Sequence, residues 1–370
     1  MRRGGTEQHL LHVLPALCAR GFDVTAVLLD RGGALEEQLR RSPVKVITPR
    51  FSLPRPWRTL VQAMTLRRVA AKTGARIVHA YLSEPYLAAA AARCIPALKS
   101  PVLVYGRRSL AFYTGSHPLA QRAERWAHRM ASTLVGNSSA VAAELVAESG
   151  GPAKVAIIHN GIPLAGPVLE PERMAAREKF GIAADELVLT LVANFHRYKG
   201  HLDLVEALGL AVDRMPPRWR LVLAGRDAGC RERLEARIGD LNLAANVLFI
   251  GEWPGSREPY AAADIGLLVS HTEGFSNSLI EGMAAGCAMI ATSVGGNSDA
   301  IDHGRTGLLV PPKAPAELAG AILELAHDPQ LRHRLARAAR TEACDRFSLE
   351  TCVDRYEALW RSLAAPKPTR

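Results

Sequence analysis

The chain has no CxxC pair: its six cysteines, at 18, 94, 230, 287, 344 and 352, stand far apart. Such spacing builds neither a disulfide framework nor a thiolate metal site, so the thiols read as reduced and mostly buried. Asp-x-Asp does not occur, and no histidine or cysteine cluster has metal-ligand spacing, so no metal and no cofactor is expected. Long apolar runs are missing; the alanine-rich stretch at 86–92 is far too short to span a bilayer. No apolar segment follows the two arginines after Met1, so no secretion signal is expected. Aromatic residues make up only 5% of the 370, and the basic residues are not interleaved with them. Together with the lack of zinc-finger or helix-turn-helix patterns, this argues against nucleic acid as a partner. What remains is 48% hydrophobic and 22% charged, a globular composition with length enough for two domains.

Lysine is scarce too, 8 against 38 arginines, a bias that suggests a GC-rich bacterial genome. Charge is unevenly placed. Residues 1–165 hold 22 basic and 9 acidic residues, a net +13, whereas residues 166–370 hold 24 and 27, a net −3. A basic half calls for an anionic partner such as a lipid phosphate or an anionic membrane surface. Arg122, Arg125 and Arg129 are spaced to share one helical face beside Trp126, which suits that surface as well as it suits plain solvation. The expected location is cytoplasmic, peripheral on the inner face of the cell membrane.

Short apolar runs alternate with helical patterns throughout. Candidate strands in the first half are 23–29, 44–48, 76–80, 101–106, 132–137 and 154–160, with helices near 57–73, 84–94, 117–130 and 138–148. A proline-bearing linker, 159–173, leads to a second series of strands at 186–194, 219–225, 246–251, 264–270, 287–292 and 307–312. This reads as an α/β chain with two Rossmann-like, doubly wound parallel sheets. The boundaries are a first domain at 1–165, a second at 166–346 and a C-terminal helix at 347–370. Gly4 and Gly5 precede the first helical pattern with no strand ahead of them, so the first strand of the N-terminal domain is expected to be absent.

Two stretches carry chemistry. In 264–286 a strand breaks on Gly274 into a polar helix start at Ser276, Asn277 and Ser278, with Glu273 and Glu281 on either side. A helix start favours phosphate, and flanking carboxylates accept sugar hydroxyls, a combination that fits a nucleotide-sugar. The plain alternative is a capped helix with two solvated glutamates. In 192–201 Arg197 and Lys199 lie on a turn after a strand, where fixed cations would stabilise a departing diphosphate.

The segment EGFSNSLIEGMAAG, continued by MIATSVGGNSDAIDHGRTGLLVPP, resembles the donor site of retaining glycosyltransferases of family 4, and the likeness covers nearly the whole chain. It implies the GT-B fold, with two domains facing a cleft and the last helix crossing back towards the first domain. It also implies that Glu281 binds ribose hydroxyls and that Glu273 lies near the donor sugar. Gly274, Phe275 and Ser276 would offer backbone N–H groups, and Lys199 matches the family's Lys-Gly. Ile250 and Gly251 would hold the base, and Gly5 would face the diphosphate. Asn194 stands where many members have arginine, with Arg197 as its substitute. On the acceptor side the likeness points to His79, a residue that reads equally as a packed ring. It also points to Arg107 or Arg108, in a region where several members have histidine. The activity implied is retaining transfer from a UDP- or GDP-sugar to a hydroxyl of a lipid-linked or saccharide acceptor, without a metal, in envelope polysaccharide synthesis. Alternatives are a GT-B sugar-nucleotide epimerase or phosphorylase, or a degenerate protein that binds sugar-nucleotide without turnover.

Overall fold

The computed structural model describes residues 5–29, 34–49, 55–95, 100–110 and 118–365. The chain divides into two compact units, Met1–Pro163 with Leu349–Arg370, and Leu164–Ser348.

In the first unit the strands form two parallel sheets. β1 (Thr25–Val27) pairs with β2 (Lys45–Ile47). β3 (Ile77–Tyr81), β4 (Val102–Arg107), β5 (Thr133–Gly136) and β6 (Val155–Ile157) form the other, in that order. All six candidate strands are present, each close to its expected place. The first described element is helix Gly5–Ala19, and among the described residues no strand joins β1 to β3, which is why one expected sheet is two. Gly4 lies outside the described residues. One face of the four-stranded sheet is covered by Val13 and Leu17 of the first helix and by Val353, Tyr356 and Trp360 of helix Leu349–Ala364. The other packs Leu103, Tyr105 and Leu134 against Tyr86 and Ala89 of helix Ser83–Arg93 and Ala127 of helix Pro118–Met130.

The second unit is one six-stranded parallel sheet. Its strands are β7 (Leu187–Val192), β8 (Trp219–Ala224), β9 (Val247–Gly251), β10 (Ile265–Leu268), β11 (Ala288–Thr292) and β12 (Leu308–Val310). Their order is β12-β11-β10-β7-β8-β9. The strands are apolar on both faces, as a sheet covered by helices on both sides requires. Leu189, Leu191, Leu221, Leu223, Ile265 and Ile290 meet Leu204 and Leu208 of helix His201–Ala211 and Leu318 and Ile322 of helix Pro315–His327. The strand order reverses between β7 and β10, and this reversal positions the site.

Candidate active site

Open parallel sheets receive ligands beyond the carboxyl ends of their strands, at the point where the order reverses. In the second unit that point lies between β7 and β10, hydrogen-bonded neighbours in register from Ile265 against Leu189 to Leu267 against Leu191. β7 runs into the turn Arg197–Lys199 and helix His201–Ala211, while β10 runs into the loop before helix Asn277–Ala285. Strand pairing therefore carries the two chemically interesting stretches to one place. Gly200 lets them touch: its φ is +71°, and a Cβ there would stand 1.9 Å from the Val269 carbonyl oxygen. The His271 N–H donates to the Tyr198 carbonyl at 2.7 Å. His271 Nε2 lies 2.6 Å from Asp203 Oδ2.

Lys199 Nζ reaches Glu273 Oε1 at 2.5 Å, with the two side chains 18% and 12% exposed, so the pair is held without being sealed. The Ser270 hydroxyl donates to the same oxygen at 2.7 Å. Glu273 Oε2 accepts no hydrogen bond among the described residues, and the ammonium has three N–H donors of which Glu273 engages one. A third loop, after β11, backs this segment. Gly295, at φ +52°, brings its backbone so near that a Cβ would be 1.7 Å from the Glu273 carbonyl oxygen, and the Gly296 N–H donates to the Gly274 carbonyl at 3.0 Å.

The helix that follows starts with Ser276, whose hydroxyl accepts from the Leu279 N–H at 3.4 Å. Other N–H groups of a first turn have no intrahelical acceptor, and with the helix dipole they favour an anion. Ser278 Oγ donates to the Val192 carbonyl at 2.8 Å and bonds the Tyr260 hydroxyl at 2.7 Å, which pins the helix start to the end of β7. Phe275 is buried against the Phe347 ring, 5.2 Å between centroids. Glu281 is half-buried one turn further on. Burial pushes its carboxyl up from the ordinary value, and the Ser256 hydroxyl offsets this only in part. It has no ion pair among the described residues. Such a carboxylate gains by accepting ligand hydroxyls. The arrangement thus offers a fixed ammonium, an anion-favouring helix start and two carboxylates for hydroxyls.

A sequence profile described as Glycosyltransferase Family 4 matches residues 3–165, and one described as Glycosyl transferases group 1 matches residues 172–342. The chain belongs to glycosyltransferase family 4. It is 33% identical over 250 residues to a D-inositol 3-phosphate glycosyltransferase of Acidothermus cellulolyticus, covering 65% of this chain and 55% of that one. It is 30% identical over 184 residues to an N-acetyl-alpha-D-glucosaminyl L-malate synthase of Bacillus anthracis, covering 50% and 48%. The matched stretches thus span about half the length of these curated relatives. Among solved structures, Anabaena Alr3699/HepE in complex with UDP superposes with a TM-score of 0.84 at 24% identity, covering 97% of this chain and 96% of that one. The fold is GT-B.

The family's other motif positions fall as follows. Arg197 is exposed and forms no ion pair among the described residues, so the cation beside Glu273 is Lys199 alone. Asn194 Oδ1 accepts from the Arg226 N–H at 3.0 Å, tying the ends of β7 and β8 together. The Gly251 carbonyl accepts from the Gly225 N–H at 2.8 Å, and the Ile250 side chain packs against Val188 and Val222. Gly5 opens the first helix of the first unit, with open space where a side chain would stand.

His79 is packed. Its ring stacks on Tyr81 at 4.4 Å, and Nδ1 accepts from Trp360 Nε1 at 3.2 Å. Burial, then the nearby Arg108, push its pKa down to about 3, so the ring is neutral and its proton sits on Nε2. Nε2 has no partner among the described residues. The expectation for Arg107 needs correction. Its guanidinium is 5% exposed and bonds Glu124 and both oxygens of Glu148 at 2.9 Å, so its charge is used inside the unit. The next residue, Arg108, is the one beside His79, hydrogen-bonded to Asn160 Oδ1. Reading the sequence alone missed Ser270, His271, Asp203 and Ser256. His271 and Ser270 lie just before the recognised motif, but nothing local marks His271 as the partner of Asp203, 68 residues earlier.

Proposed function

We propose that the protein is a retaining glycosyltransferase that moves a sugar from a UDP- or GDP-sugar to a hydroxyl of a lipid-linked or saccharide acceptor in envelope polysaccharide synthesis. The observation that carries this is the convergence at the β7/β10 reversal of Lys199, Glu273, the helix start at Ser276 and Glu281. Lys199 and the helix start would take the diphosphate, Glu281 the ribose and Glu273 the donor sugar. Charge gathering on the leaving phosphate would be met by a fixed ammonium and backbone dipoles, so the transfer is proposed to need no metal. The Anabaena protein's complex with UDP makes uracil the first base to try. On the acceptor side, Arg108 beside neutral His79 favours an acceptor bearing a negative charge, in keeping with the inositol phosphate and malate in the relatives' names.

The protein is proposed to be cytoplasmic and peripheral on the membrane. Arg122, Arg125, Trp126 and Arg129 are exposed together on helix Pro118–Met130, a face suited to anionic lipid. No described helix is long and apolar enough to cross a membrane. The test is a thermal-shift screen of UDP, GDP and their sugars, followed by donor hydrolysis and transfer with the responding donor. Stabilisation by one nucleotide with turnover of its sugar is the expected result, and no response to any of them would end the proposal. Stabilisation without turnover would favour the degenerate binder, a reading supported by Asn194 in place of the usual arginine.

A further inference from the structure

We infer that Asp203 and His271 are positioning residues for the transfer, acting together to hold Lys199 against Glu273. The inference rests on the reading just given. Asp203 lies in the first turn of helix His201–Ala211, four residues after Lys199, and His271 lies two residues before Glu273. Their side chains meet at 2.6 Å, each about a quarter exposed, and neither bonds another side chain in the site. Directly beside this pair the His271 N–H donates to the Tyr198 carbonyl at 2.7 Å, the residue next to Lys199.

The two loops are therefore joined in three successive places: side chain to side chain, backbone to backbone, and ammonium to carboxylate. The third is the working contact, and the first two fix its geometry. A lysine has four rotatable bonds, and on a free turn its ammonium would sample a wide volume. Here the turn's Cα trace is set by Gly200 against Val269 and by the Asp203–His271 bond, leaving only the side chain to settle on Glu273. Carboxylate and imidazole, unlike a pair of apolar side chains, fix direction as well as proximity.

The test is a double-mutant cycle, with lysine chemistry as a second readout. Asp203→Ala should lower kcat about tenfold to a hundredfold while leaving the donor KM nearly unchanged, and Asp203→Asn, which keeps one hydrogen bond to His271, should recover most of it. In a Lys199→Ala background Asp203→Ala should cost nothing further. An equal loss in both backgrounds, or a loss carried by KM, would overturn the inference. Acylation of Lys199 by an amine-reactive ester, followed by peptide mapping, needs no turnover. It should become several-fold faster in Asp203→Ala, with the other lysines unaffected. An unchanged rate would overturn the inference whether or not the wild type transfers sugar, whereas an inactive wild type with a faster-reacting Lys199 would fault only the assigned function.

Discussion

Two cations stand at the carboxyl ends of parallel strands, each facing carboxylates, and they serve opposite ends. Arg107 closes β4 and meets Glu124 and Glu148, with Arg107 and Glu124 only 5% and 3% exposed. Lys199 follows β7 and meets Glu273, with 18% and 12% of those side chains open. Arg107 Nη1 donates to both oxygens of Glu148 and Nη2 to Glu124, so its charge is met by carboxylates from two helices of its own unit. Lys199 has one carboxylate partner in a loop next to a helix start. A strand-end cation becomes a candidate for catalysis when its neighbours leave donors and approach open. It is structural when helices close over it.

The comparison breaks most sharply at Arg107. Arg107→Ala would leave Glu124 buried, and Glu148 partly buried, without their arginine counter-charge, a loss of about 3–5 kcal/mol of stability. Urea unfolding should show it, while affinity for UDP or GDP, whose proposed site lies in the other unit, stays as in the wild type. Unchanged stability with lost turnover would return Arg107 to the acceptor side. Next comes Lys199→Ala, which should lower kcat about 10²- to 10³-fold with little change in unfolding midpoint. Steady-state kinetics with wild-type rates would remove Lys199 from the mechanism.

Much of this pair was legible and the decisive part was not. Strand positions follow from apolar runs, and all twelve candidates appear in the fold. The glutamates and Lys199 stood out because a strand, a glycine break and a polar helix start form a local pattern. That β10 returns to lie beside β7 has no local signal, yet it is what puts Lys199 and Glu273, 74 residues apart, in contact. That the sequence leaves Arg107 and Arg108 as equal alternatives has the same cause. The carboxylates that enclose Arg107 come from 17 and 41 residues downstream, and nothing near the arginine announces them.

The mildest test concerns a carboxylate, Glu281, that, unlike Glu124 or Glu273, pairs with no cation among the described residues. Burial raises the Glu281 pKa in the folded protein above its unfolded value. The folded state then holds the proton more tightly, so this group favours folding below the unfolded carboxylate range, about 4.3, and that contribution is lost as pH rises through the raised value. At neutral pH the ionised side chain is a burden on the empty protein. Glu281→Gln should therefore raise the thermal midpoint of the unliganded protein at neutral pH, by an amount that shrinks as pH falls towards the carboxylate range. The same change should weaken the responding nucleotide about tenfold, because a neutral amide is a poorer acceptor for ribose hydroxyls. A gain in stability paired with a loss in affinity is the mark of a residue kept for its ligand. Calorimetric titration and thermal scans across pH read both. Unchanged affinity would move Glu281 out of the donor site, and a lower midpoint at neutral pH would mean that Ser256 and its neighbours already satisfy the charge.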